Sequence, residues 1–171
     1  MATKRHTLER LYDEEAEGVY RYALALTGRE EVAKDVLQDV FIKVANGGVS
    51  LDGVENVRAY LFRVARNLFL DRRRREESGR ERDDRWSRES GLEATGPNPD
   101  QQALVSWLED GLAELPEEQR SVVVLHLWDE MTFAEIGTIC GVSANTAASR
   151  YRYGIDKMRR RLRPLYKEIQ Q

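Results

Sequence analysis

The chain has 171 residues, with 27 Lys+Arg against 30 Asp+Glu and a net charge of -3. At roughly 100–200 residues per domain this makes one domain or two small ones, and the single Cys excludes a disulfide framework and the multi-cysteine zinc patterns. Two His leave little for a metal or a histidine base, so neither metal nor cofactor is expected, and the net charge taken alone argues against a nucleic-acid binder.

The N-terminal residues lack the apolar stretch of a signal peptide, and no run approaches the roughly 18 apolar residues of a membrane span, so no membrane span and a cytoplasmic location are expected. The charge is distributed in blocks. Residues 1–57 carry -4, residues 58–85 carry +4, residues 86–119 carry -7 and residues 120–171 carry +4. Alternating basic and acidic blocks bear on function more than their sum does.

The first 75 residues predict three helices. Leu8, Leu11, Tyr12, Ala16, Val19, Tyr20 and Ala23 recur at the spacing of one helix face. Thr27-Gly28 breaks that pattern, and Thr27 with Glu30 is set out as a capping box for a second helix. Its stripe runs through Val32/Ala33, Val36/Leu37, Val40/Phe41 and Val44, and Asn46 to Gly53 reads as a loop. A third helix is expected from about Val54 to Arg75, buried along Val57, Leu61, Val64 and Leu68. Residues 76–100 lose periodicity and read as a flexible linker. Trp86 and Leu92 are its only large apolar residues.

A second unit, residues 101–171, begins with a helix lined by Ala103, Leu104, Trp107, Leu108, Leu112 and Leu115. Pro116, placed at a first helical position, and Glu117-Glu118 start the next. Its run from Val122 to Trp128 is rich in β-branched residues but has no partner strand, so a buried helix is expected. The fold class is therefore all-α: two small helical domains joined by a flexible linker.

Residues 132–150 carry the most information. Thr132 and Glu135 form a capping box for a short helix, Gly141 stands where a left-handed terminator is needed, and Ser143 caps the next helix. That is a helix-turn-helix. Ala144, Ala147/Ala148, Tyr151, Ile155, Met158 and Leu162 are set to pack inward, leaving Asn145, Ser149, Arg152, Asp156, Arg159 and Arg163 on the other side. Seven basic residues lie between Ser149 and Arg163. Such a helix in a major groove reads base edges with its first half and grips phosphates with its basic end. Cys140 reads as a small buried hydrophobe.

Two further faces stand out. Tyr60, Arg63, Asn67, Asp71 and Arg74 share one stripe of the third helix. Aromatic, amide and guanidinium groups together suit single-stranded nucleic acid, with Asp71 placed to fix Asn67 or an arginine. The second helix exposes Glu31, Lys34, Asp35, Gln38, Asp39 and Lys43, which suit a basic protein surface better than DNA; read alone, they form an ordinary solvated face.

With these segments in hand, the chain resembles the two-domain, extracytoplasmic-function (ECF) type of bacterial RNA polymerase sigma factor. AKDVLQDVFIKV, VRAYLFRVARNLFLDRRRR and the stretch from LPEEQ to RRRL match that family in order and spacing, and the unpatterned segment matches its linker. The resemblance implies a non-enzymatic protein that binds core RNA polymerase, at the β′ clamp helices and the β flap, and directs promoter recognition and -10 melting. It places Asp35, Gln38 and Asp39 in the polymerase-docking helix, with Phe41 internal. Tyr60, Arg63, Asn67 and Arg74 fall on single-stranded -10 DNA, and Leu51 and Asp52 in the specificity loop. Asn145, Thr146, Ser149, Arg150, Arg152, Tyr153 and Arg159 fall on the -35 duplex. An anti-sigma factor is a further partner the family implies, and the acidic linker around Glu89, Glu93 and Asp100 is expected to mimic nucleic acid. The sequence departs from the family pattern at Tyr60, where Trp is common, at Ala148, where a basic residue is common, and at Ala147 and Gly137. A helix-turn-helix regulator working without polymerase is the alternative; it explains residues 132–163 but neither of the other two faces.

Overall fold

In the computed structural model, residues 2–47, 54–79 and 99–169 are described, and they form seven helices. The N-terminal set is α1 (Ala2–Thr27), α2 (Glu30–Ala45) and α3 (Val57–Gly79). The C-terminal set is α4 (Pro99–Ala113), α5 (Glu117–Leu127), α6 (Phe133–Cys140) and α7 (Ala144–Ile169). The expected linker is helical at its ends; Trp86, Leu92, Glu89 and Glu93, with the side chain of Asp100, lie outside the described residues.

Helix ends follow local chemistry. The expected Thr27–Glu30 capping box does not form. Gly28, at φ 65°, terminates α1 with Thr27 still inside it, so α2 starts from Arg29, which makes no side-chain cap. The Thr27 hydroxyl instead accepts the Arg29 N–H at 3.3 Å. Helix α3 starts three residues later than expected because the Asn56 carboxamide oxygen accepts the Ala59 N–H at 2.9 Å and acts as its cap. Pro116 is the N-cap of α5 rather than its first helical residue; its carbonyl receives the N–H groups of Gln119 and Arg120.

Apolar stripes bury the elements. Val19, Tyr22 and Leu26 of α1, Val36 and Val40 of α2, and Leu61 and Phe62 of α3 are closed off from solvent. In the second unit Val122–Leu125, Ile136, Ile139, Ala147 and Met158 do the same. The run on α5 is buried only as far as Leu125; Leu127 and Trp128 are exposed. The two units also pack on each other, α1 against α5 and α3 against α6, so one continuous core crosses between them.

Candidate nucleic-acid interface

The helix-turn-helix is built as its residues demand. The Thr132 hydroxyl accepts the Glu135 N–H, and the Glu135 carboxylate accepts the Thr132 N–H at 2.8 Å and its hydroxyl at 2.9 Å. These bonds hold the Glu135 carboxyl below its ordinary value. Gly141, at φ 69° and ψ 35°, ends α6 in the left-handed conformation that a side chain would strain. Gly137 lets the turn close: a Cβ there would come 2.6 Å from the Val142 carbonyl oxygen. The Ser143 hydroxyl accepts the Thr146 N–H at 3.1 Å and starts α7. His126 of α5 and Phe133 of α6 stack with their rings 4.5 Å apart, and Tyr151 of α7 meets His126 edge-on at 4.7 Å, which fixes how α7 is presented.

On α7, Asn145, Thr146, Arg152, Tyr153 and Arg159 are exposed, and Ser149 and Arg150 are half-buried. Tyr153 stands 65% in solvent, the most exposed large hydrophobic among the described residues. Arg152 donates to the Ser149 hydroxyl at 3.1 Å, which pre-orients the guanidinium along the face. Ala144, expected to pack inward, is exposed as the first residue of α7. Of the seven basic residues, Arg161 turns back to α4, where it meets Glu114, Asp110 at 3.6 Å and the Trp107 ring. Cys140 packs beside Ser121, and burial pushes its thiol up, as suits a structural residue.

On α3, Arg63, Asn67 and Arg74 are exposed and Tyr60 is half-buried. The Arg63 guanidinium lies 5.3 Å from the Tyr60 ring centre, so cation and aromatic face form one platform. Asp71 pairs with Arg74 at 3.8 Å, one of its two expected roles. Leu51 and Asp52 lie outside the described residues.

On α2, Asp35 and Gln38 are exposed and Asp39 half-buried, while Phe41 is buried with its ring edge-on to Tyr12. Sequence reasoning missed Arg72, which reaches from α3 to Asp39 at 2.6 Å and Asp35 at 3.5 Å and links the acidic face to the arginine helix. Helical spacing within one element cannot show such a pairing. Among the described residues no cluster of His, Cys, Asp or Glu could hold a metal ion, and no helix is long and apolar enough to cross a membrane.

A helical unit with an arginine–aromatic face, followed by a second unit holding a capped helix-turn-helix, defines a two-part DNA-binding protein. The family model described as Sigma-70 region 2 matches residues 11–79, and Sigma-70, region 4 matches residues 106–158. The chain is 34% identical over 168 residues to the ECF RNA polymerase sigma factor SigL of Mycobacterium tuberculosis, covering 96% of this chain and 93% of SigL. It is 29% identical to the RNA polymerase sigma factor YlaC of Bacillus subtilis, over 90% of this chain and 92% of YlaC. The fold is that of the sigma factor RpoE of Bartonella quintana, solved in complex with the anti-sigma factor NepR, with a TM-score of 0.71 at 20% identity over 91% of this chain and 96% of that one. The chain belongs to the ECF RNA polymerase sigma factors.

Proposed function

We propose that this sigma factor binds core RNA polymerase through the Asp35, Gln38 and Asp39 face of α2, on the β′ clamp helices, with its C-terminal unit on the β flap. Asn145, Thr146, Ser149, Arg150, Arg152 and Tyr153 then meet the -35 duplex, and Arg159 a phosphate. Tyr60, Arg63, Asn67 and Arg74, with Leu51 and Asp52 of the loop, hold the unpaired -10 strand. The unit up to about residue 75 carries docking and -10 recognition, and the unit from about residue 101 carries -35 recognition. The work is promoter recognition rather than catalysis, carried out where the polymerase is, in the cytoplasm, and an anti-sigma factor is a fitting restraint.

The observation that carries this reading is the presence of two separate DNA-suited faces of different chemistry. One is a groove-entering helix; the other is a cation–aromatic stripe beside an exposed asparagine. Extruding a base costs a few kcal/mol, and stacking at about 1–3 kcal/mol per base offsets it. Asn67→Ala tests the assignment. Expected is weaker binding of holoenzyme to a single-stranded -10 oligonucleotide, read by fluorescence anisotropy, with core binding unchanged. Equal loss of both would refute the assigned role.

A further inference from the structure

Helix α2 packs on α1 and α3 and buries Ala33, Val36, Val40 and Val44. At about 100° per residue, Glu31, Asp35, Gln38 and Ile42 form one row on the opposite side of the helix, with Asp39 beside it. All four residues of the row are exposed, and Ile42, in the last turn, stands 52% in solvent. It lies two positions from Val40 and two from Val44, so its side chain turns away from the core that those valines enter.

An isolated apolar residue on a surface needs no explanation. Ile42 is different because it ends the row that already holds Asp35 and Gln38. It belongs neither to the core nor to the apolar residues packed against it. Nor does local helix stability account for it, since a β-branched residue is a weaker helix former than the Ala, Glu, Lys or Gln that suit a solvated position. A second large apolar group is exposed nearby in the fold: Tyr12 of α1, 47% in solvent, lies edge-on to the ring of Phe41, the residue before Ile42.

The charges of this face are poorly suited to holding a partner by themselves. Arg72 meets Asp39 at 2.6 Å and Asp35 at 3.5 Å, and Lys34 meets Glu30 at 3.5 Å, so much of the acidic charge is shared within the chain. At physiological ionic strength solvent-exposed charges are largely screened beyond about 8 Å. Such charges govern encounter and partner choice more than tightness. Tight complexes depend on a few fully desolvated groups ringed by residues that keep water out. One aliphatic side chain beside Asp35, Gln38 and Asp39 has that composition.

We propose that Ile42 is the apolar anchor of the polymerase-docking face, covered by an apolar group on the same basic surface that takes Asp35, Gln38 and Asp39. This role rests on the docking reading of α2 and specifies the surface that α2 must meet: basic groups along the acidic row and an apolar patch at its C-terminal end. Charge brings the helix into register, and Ile42 sets how long it stays.

Titration of the fluorescently labelled full chain with bacterial core polymerase, at low and at high salt, tests the anchor. About half of Ile42 is open to solvent, so Ile42→Ala is expected to weaken core binding about tenfold, which converts to about 1.4 kcal/mol. The factor should be the same at both salt concentrations and appear as faster dissociation. Ile42→Leu, close in volume, should stay within about twofold of wild type. Asp35→Asn and Asp39→Asn should instead lose affinity at low salt and differ little from wild type at high salt. Because Ala is the stronger helix former, Ile42→Ala should keep the helical content and Tm of wild type. An Ile42→Ala chain that binds core as tightly as wild type, while the aspartate variants bind more weakly, would overturn the anchor and leave the docking face standing. A loss confined to low salt, or one matched by a fall in Tm, would overturn it as well. No loss in any variant would remove the docking reading and the anchor with it.

Discussion

Arg120 is the buried charge on which the junction of α1, α4 and α5 depends, and replacing it with Met separates the two terms that set its net effect. One guanidinium nitrogen donates to the carbonyls of Ala113 and Leu115, both at 2.9 Å. The other donates to those of Leu26 at 3.3 Å and Ala25 at 3.5 Å. Three of these carbonyls lie in the last turns of α1 and α4, where a helix has no partners of its own to offer. Hydrogen bonds to a charged group contribute about 1.5–3 kcal/mol each; counting the two short ones in full and the longer pair at a fraction gives about 5 kcal/mol. Against this stands desolvation. Burial pushes Arg120 down to about 10 from 12.5, which at 1.36 kcal/mol per pKa unit is a cost of about 3 kcal/mol. Met fills similar space without donors and removes both terms. The balance is a loss of about 2 kcal/mol, or about 4–8 °C in Tm at 2–4 °C per kcal/mol for a chain of this size. Differential scanning calorimetry of the full chain reads it directly. An unchanged or higher Tm would show that desolvation wins, as it does when some buried ion pairs are replaced by apolar groups.

Other consequences follow from the same geometry. Arg159→Ala removes an exposed cation from α7 and should weaken promoter binding by the holoenzyme with little sequence dependence, lowering the slope of log affinity against log salt by about one; a change confined to one promoter sequence would place Arg159 on a base instead. Glu135→Ala should cost about 0.5–2 kcal/mol at pH 7 through loss of the cap, while Glu135→Gln keeps an acceptor for the Thr132 N–H and should cost far less. Because the folded-state value of Glu135 lies below its ordinary 4.5, its stabilisation is complete above about pH 4.5 and is lost as pH falls through the lowered value. Urea melts at neutral and acid pH should show that loss in wild type and not in Glu135→Gln; equal acid sensitivity in both would assign the effect to other carboxylates.

How much of this was legible in the sequence depends on whether the controlling contact is local. The α6–turn–α7 unit was, because its capping box, its left-handed glycine and the Ser143 cap all lie within a dozen residues and each has a distinctive residue type. The boundary between α1 and α2 was not, because two local signals competed at Thr27-Gly28 and the glycine's backbone freedom prevailed over the threonine cap. The stripe from Tyr60 to Arg74 was visible from period alone. The neighbouring stripe of Arg58, Phe62 and Arg66 was not, since spacing shows which residues share a face and not what lies against it. Phe62 lies against Tyr22 and Gly18 of α1, and Arg66 meets Glu117 of α5 at 3.2 Å, far away in the chain. Arg120 and Asp129 carry no mark of burial in the sequence for the same reason, although both are buried. Polar residues buried across an interface carry no one-dimensional signature; their burial is a property of the packed pair.

The most direct test of the account as a whole is run-off transcription with bacterial core polymerase and this chain on a promoter library. Expected are transcripts that depend on the chain, start at defined positions and come from templates sharing a -35 and a -10 element, with no tight sequence-specific DNA binding by the chain without polymerase. Sequence-specific binding to duplex DNA in the absence of polymerase, with no chain-dependent initiation from any template, would contradict it.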